Sequence, residues 1–318
     1  MRNGLSDVID EVGRATADPR TIMYFCYGSQ SLYEQTLYSI LSLLHVTAGR
    51  NLDTRVIVYC DRPAEFAALP VETIEIDQRQ LDAWLGGSDY IHRRKTCAII
   101  DALQRFGGKV LFLDSDTYWT SPPDRLFNRI GRDRACFHTR EGYLRSTGTA
   151  VDNALAQQLD RHQYRIGSVV PVEVDRTTMM WNTGVVGVHA SNLNLVSEAL
   201  VLSDQIWIDA DPTGAYGKKI HHAEQFAMGY AFRDCRLSEA VDTVYHYWPS
   251  VAKAAFGRVL PGLVESGVGD QSPENLQHIY AARFREVGWK ARIERMKMGI
   301  RLLCISLQIP VNGVRRSV

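Results

Sequence analysis

The sequence has no uninterrupted apolar run long enough to cross a bilayer, and its first twenty residues carry no apolar signal core. A spanning helix needs about 20 apolar residues, so an integral membrane protein is excluded and a secretory leader is not expected. Net charge is missing too. The 36 Lys and Arg balance 36 Asp and Glu, so no global positive field recruits nucleic acid. The six cysteines, Cys26, Cys60, Cys97, Cys136, Cys235 and Cys304, show no paired spacing. They read as reduced core thiols, which points to a cytoplasmic protein. No Gly-rich phosphate fingerprint stands between a strand and a helix, and there is no internal repeat or low-complexity stretch.

What is present fits one large α/β domain, or a domain with an appendage, within 318 residues. The stretch that organises it is Lys109–Trp119. Val110 to Leu113 is a continuous apolar run, preceded by the Gly107-Gly108 turn and ended by Asp114 and Asp116. This predicts a buried strand with two carboxylates at its tip, where ligands of open α/β sheets sit. In extended chain Asp114 and Asp116 point one way and Ser115 the other. Such a pair suits a hard divalent ion with open positions for phosphate oxygens. The plainer alternative is a capping residue beside a solvated one.

Upstream, strands over Thr21–Tyr27 and Arg55–Tyr59 enclose a helix over Leu32–Val46, and Val71–Ile76 alternates like a more exposed strand. That is βαβ order and implies a parallel sheet. A helix over Tyr90–Phe106 carries Arg93, Arg94 and Lys95 in its first turns, against the helix dipole. From this helix alone a solvated basic face is the simpler reading, although its start could return to the aspartate edge. Downstream come a short helix from Ser121-Pro122-Pro123 to Ile130, a strand over Arg134–His138, and an irregular region from Glu141 to Arg176 with a helix near Asn153–Tyr164. Such a region suits a second substrate. Met180–His189 is a strand whose Asn182 and Gly184 suit a polar ligand with close backbone approach, or else a bulge. Leu193–Trp207 is a helix, and another opens at His221-His222-Ala223-Glu224-Gln225. Val241–Tyr247 is a last strand containing His246, with Lys253 shortly after. His246 is a candidate third ligand, and imidazole favours manganese over magnesium. A hydrogen-bonded core histidine and an exposed lysine are the alternatives.

The order of these parts resembles the nucleotide-sugar-dependent glycosyltransferases of family 8, the glycogenin and bacterial lipopolysaccharide glycosyltransferase group, over residues 21–256. The resemblance implies a single Rossmann-like GT-A domain over 21–260, with a mostly parallel sheet flanked by helices, after a lead-in at 1–20 and before a C-terminal basic helical extension at 261–318. It implies a hexosyltransferase of cell-envelope polysaccharide that moves a sugar from a UDP-sugar to a glycan or glycolipid acceptor with retained configuration. It further implies that Asp114, Asp116 and His246 bind Mn2+ or Mg2+, and that Lys253 binds the diphosphate. Asn182 would lie by the donor sugar, Arg94 on the donor side, Tyr27 and Asp61 by the nucleoside, and Gln225 beneath the reacting carbon, with Glu224 beside it. The pair Glu224-Gln225 stands where the family has Asp-Gln, and the His246-to-Lys253 segment is one residue longer and lacks a glycine.

The C-terminal segment from Tyr280 carries nine basic residues against Glu286 and Glu294, which is about +7. Trp289, Ile293, Met296, Ile300, Leu303 and Leu307 form one apolar stripe, ended by Pro310. This predicts a basic amphipathic helix that lies on an anionic membrane at the inner face, or docks on the domain. Two other functions are compatible with the aspartate strand. A haloacid-dehalogenase-type phosphohydrolase also uses Asp-X-Asp, but wants Thr or Val where Tyr118 stands. A non-catalytic binding protein of the same fold is the other.

Overall fold

The strand Lys109–Leu113 takes the middle of a sheet because its apolar run must be covered on both sides. Val110 and Phe112 enter one core cluster, and Leu111 and Leu113 enter a second on the opposite face. The computed structural model describes residues 18–50, 53–167, 170–210, 220–248 and 250–285, with 296 and 300 as isolated positions. In chain order the elements are β1 (Arg20–Cys26), α1 (Gln30–Val46), β2 (Arg55–Cys60), β3 (Glu72–Glu75), α2 (Gln78–Leu85), α3 (His92–Phe106), β4 (Lys109–Leu113), β5 (Thr117–Trp119), α4 (Asp124–Phe127) and β6 (Arg134–Tyr143). There follow α5 (Ala150–Arg161), β7 (Arg165–Ile166), β8 (Val170–Pro171), β9 (Met179–His189), α6 (Leu193–Ile208), α7 (Ala223–Ala231), β10 (Arg236–Glu239), β11 (Val244–His246), α8 (Ser250–Gly257), α9 (Leu260–Gly269) and α10 (Pro273–Arg285).

The main sheet has seven strands in the order β10-β6-β9-β4-β1-β2-β3. Every neighbouring pair is parallel except the two that β9 makes with β4 and β6. The expected mostly parallel α/β sheet is therefore present, with one reversed strand. That reversal brings the start of β9 to the same edge as the end of β4, since Leu113 pairs with Val185. The strand expected over Val241–Tyr247 is shorter. The N–H groups of Thr243 and Val244 both bond to the Ala240 carbonyl, which makes a turn, and only Val244–His246 pairs, with β5.

Helix α2 stands beyond the expected elements, although its ends are written in the sequence. Asp77 accepts the Gln80 N–H at 2.7 Å as an N-cap, and Gly86 closes the helix at φ 65°. Helices α9 and α10 pack on α1, with Leu260, Val264, Leu276 and Ile279 joining Leu37 and Leu41 in one cluster. Core packing thus continues past residue 260. Cys26, Cys60, Cys97 and Cys136 are buried free thiols, and Cys235 is a partly buried one. Most of the C-terminal stripe lies outside the described residues, and its two described members, Met296 and Ile300, are exposed. Among the described residues no helix is long and apolar enough to cross a membrane.

Candidate active site

Beyond Leu113 the chain keeps its alternation for one more step. Ser115 turns to α1, where Thr36 Oγ1 donates to its hydroxyl at 3.0 Å, and Asp114 faces the other way. The Thr117 hydroxyl then closes a turn on the Asp114 carbonyl at 2.8 Å. Pairing of β5 with β11 sets His246 opposite Thr117, and the Tyr247 N–H bonds to the Asp116 carbonyl at 2.9 Å. These contacts bring one ligand atom each of Asp114, Asp116 and His246 within 4.8 Å of one another.

The hydrogen bonds around His246 decide which nitrogen faces the aspartates. The Gly184 N–H can only donate, so Asn182 turns Oδ1 to it and its amide Nδ2 to Glu141 at 3.2 Å. Its Oδ1 then accepts the Gly184 N–H at 3.0 Å and faces His246 Nδ1 at 3.0 Å. Nδ1 must carry a proton, and Nε2 points at Asp116 Oδ1, 3.1 Å away. A lone pair on Nε2 and the carboxylate oxygens converge, so a proton or a metal ion has to lie between them. This donor set of two carboxylates and an oriented imidazole fits a divalent ion. Gly184 is required by close approach, because an added Cβ would lie 2.1 Å from His246 Nδ1, and it also lies in the stretch of β9 where the register with β6 shifts, between the pairs Phe137–Val186 and Thr139–Asn182. His138 lies edge-on to His246 at 5.1 Å between ring centroids, and its burial keeps it neutral by pushing its pKa well below the ordinary value.

Lys253, half-exposed on α8, donates to Asp116 Oδ2 at 2.9 Å. Burial disfavours the Asp116 charge, yet His246 and Lys253 together hold the carboxyl well below the usual carboxylate range.

The opposite flank of Asp114 corrects the reading of α3 as a solvated basic face. Lys95 is buried, with Nζ 3.2 Å from Glu224 and 3.9 Å from Asp114, and it donates to the Thr183 carbonyl at 3.1 Å. Burial works against its charge, but Asp114 and Glu224 outweigh it and raise the pKa. Thr183 Oγ1 donates to Glu224 Oε2 at 2.9 Å. Burial pushes the Glu224 carboxyl up, with Lys95 and Thr183 opposing. Arg93 is half-buried and pairs with Asp204 at 3.0 Å. Near the mouth of this helix, burial and the Lys95 charge push His92 down to about 4. Tyr90 fastens the helix to α7, since its hydroxyl donates to the His221 carbonyl at 3.0 Å and accepts the Glu224 N–H at 2.8 Å.

The remaining expected residues fall around this centre. Arg94 is turned to the end of β1, donating to the Leu81 carbonyl at 2.8 Å and to the Tyr27 hydroxyl at 3.2 Å. Asp61 accepts the Gly28 N–H at 3.2 Å and the Tyr33 hydroxyl. Gln225 lies next to Glu224 on α7, and among the described residues its Oε1 is buried without a hydrogen-bond partner, as is Glu224 Oε1. Adjacent His221 and His222 do not share a ligand, since His222 Nδ1 bonds to buried Asp152 at 2.8 Å. Sequence reasoning named Lys95 only together with Arg93 and Arg94, as a basic group without a site role, and did not single out Thr183 or Glu141. The signal for Lys95 was its place opposite to the helix dipole. Thr183 and Glu141 carried none, because their roles depend on strand pairing.

No protein-family model matches the chain, and no curated protein does. Solved structures match in part. The galactosyltransferase LgtC in complex with donor and acceptor sugar analogs aligns at 13% identity over 77% of this chain and 95% of its own, with a TM-score of 0.48. An active-site mutant of LgtC aligns at 13% identity over 69% of this chain and 73% of its own, with a TM-score of 0.45. Mouse xyloside xylosyltransferase 1 in its apo form aligns at 12% identity over 70% of this chain and 84% of its own, with a TM-score of 0.43. Identities this low and scores below 0.5 leave the site of this chain to be read from its own geometry.

Proposed function

We propose that the chain is a metal-dependent glycosyltransferase that moves a sugar from a nucleoside-diphosphate donor, a UDP-sugar, to a saccharide or lipid-linked acceptor with retention of configuration. The observation that carries this reading is the convergence of Asp114, Asp116 and His246 at the carboxyl edge of a mainly parallel sheet. A divalent ion bound there supplies positive charge to the departing diphosphate. Lys253 offers the same phosphate a second point charge from a half-exposed position. Tyr27 and Asp61, at the ends of β1 and β2, suit the nucleoside, with Arg94 of α3 donating to the Tyr27 hydroxyl on the same donor side.

On the other flank Lys95 and Thr183 hold Glu224 and leave its Oε1, with Gln225 Oε1, uncommitted. Oxygens of this kind can support a sugar that develops positive charge. Glu224 is tied to Lys95, so no free base is assigned to the acceptor. The leaving phosphate takes the acceptor proton on the same face, which gives retention. Asn182, with its amide fixed between Glu141 and His246, sets the imidazole.

Calorimetric titration with UDP, with and without manganese, tests the reading on the native chain and on Asp114→Ala plus Asp116→Ala. Metal-dependent binding that disappears in the double variant is the expected result. It leads to a screen of UDP-sugars, in which proton NMR of the product anomer decides retention. A folded native chain that binds no UDP with manganese sinks the UDP-sugar reading and turns attention to the phosphohydrolase alternative.

A further inference from the structure

A cavity of about 580 Å³ opens on the face of β9 that is turned to α7, a size within the ~300–1,000 Å³ of small-ligand sites. The alternation of β9 separates it from the metal cluster. Asn182 and Gly184 face His246, whereas Trp181 faces Gly229 of α7 and forms the floor of the cavity with Met179. Gly229 permits this seating, since an added Cβ would lie 2.9 Å from the indole Cδ1.

The walls set polar and charged groups beside apolar Cys235 and Leu237, and several of the polar groups are held in place. Tyr230 accepts the Glu173 N–H at 2.9 Å, which ties the segment after β8 to α7. Asp175 accepts the Thr177 N–H at 2.8 Å and the Thr178 hydroxyl at 3.0 Å. Arg140 pairs with Glu239 at 3.2 Å, and the Arg233 guanidinium lies 4.4 Å over the Tyr230 ring. Two carboxylates and two guanidiniums therefore line one concavity. A free anion meets Glu173 and Asp175, and a free cation meets Arg140 and Arg233. A neutral ligand with many hydroxyls and one apolar face satisfies both signs and the aromatic floor at once, and the groups already held in place lower the ordering cost of binding.

We propose that this cavity is a saccharide-binding subsite, distinct from the metal-centred site, for a neutral hexose or short oligosaccharide. Binding there stands on the lining of the cavity, and only its use as a second contact for an acceptor glycan rests on the transferase reading.

The test is saturation-transfer NMR on the full chain without nucleotide or metal, with lactose, maltotriose and cellotriose as probes. The expected result is saturation of at least one probe, with affinity weakened at least about tenfold in Glu173→Ala plus Arg233→Ala, two exposed positions. Asp114→Ala plus Asp116→Ala keeps the binding. Should the first double variant melt early, Glu173→Gln alone decides in the same way. No saturation of any probe overturns the proposal, as does unchanged binding in the cavity variant. Loss of binding in the aspartate variant does so too, because it places the sugar at the metal cluster. Failure of UDP titration leaves this result standing, so the two readings fail separately.

Discussion

Asp114 lies 3.9 Å from Lys95 and 3.9 Å from His246, and the two flanks it separates complete their charges in different ways. On the Lys95 flank, cation, carboxylate and hydroxyl are buried together and close on one another within 3.2 Å. On the His246 flank, an imidazole nitrogen and two carboxylates aim at the same space. The first arrangement pairs its charges within the chain and, among the described residues, leaves only the carboxylate oxygen Glu224 Oε1 without a partner. The second carries two carboxylate charges that a proton and the half-exposed Lys253 together, or an added divalent ion, would balance, which is the condition of a binding site. One strand tip thus supports a rigid ion pair and an incomplete donor set, and exposure tracks the division: Lys253 is 45% exposed at its side chain and Lys95 10%.

Breaking the closed flank has the largest expected effect. Lys95→Met leaves Glu224 buried without its cation and is expected to cost about 3–5 kcal/mol in urea unfolding. Adding Glu224→Leu recovers much of that loss, because the stranded carboxylate is removed with its partner. A loss below about 1 kcal/mol in the single variant means that Lys95 behaves as a surface charge, and the contrast between the flanks fails.

Gly184→Ala sharpens the other side. Its Cβ would meet the His246 ring, so the imidazole must shift, at about 1–3 kcal/mol for the overpacking. Manganese affinity, followed by calorimetry, is expected to fall in the same variant. Unchanged affinity would show that His246 is not a ligand.

The smallest effect concerns acid stability without metal. The Asp116 carboxyl titrates below its unfolded value near 3.9. In acid the unfolded chain binds a proton that the folded chain refuses, so the Asp116 contribution is full above that value and is lost as pH falls through the folded one. The melting-temperature advantage of the native chain over Asp116→Asn, measured in chelator, is therefore expected to be constant near pH 6–7 and to shrink below about pH 4. A gap that persists to low pH removes Asp116 charge from the account.

Much of the frame was legible along the chain. The run Val110–Leu113 ends where an apolar core gives way to charge, and its alternation sent Ser115 to Thr36 and Asp114 the other way. Helix α1 was visible through its apolar spacing, and helices were expected over Tyr90–Phe106 and Leu193–Trp207, where α3 and α6 stand. Helix α2 was not singled out, although Asp77 and Gly86 mark both ends, because its single buried residue, Leu81, leaves little apolar period. The candidate ligands Asp114, Asp116 and His246 were nameable as residue types. Their meeting was not, since His246 is 130 positions from Asp116 and arrives through the two-stranded pairing of β11 with β5.

Local sequence by itself determined which segments become strands and helices and where carboxylates end an apolar run, because side-chain period and backbone preference act over a few residues. Tertiary structure alone decided that β9 runs against its neighbours and brings Asn182, Thr183 and Gly184 to the tip of β4. It decided, too, that Lys95 turns inward to Glu224 while Arg94 turns to Tyr27. Those outcomes depend on which distant backbone groups pair and on which charges burial forces together. Neither is written in the spacing of residues along the chain.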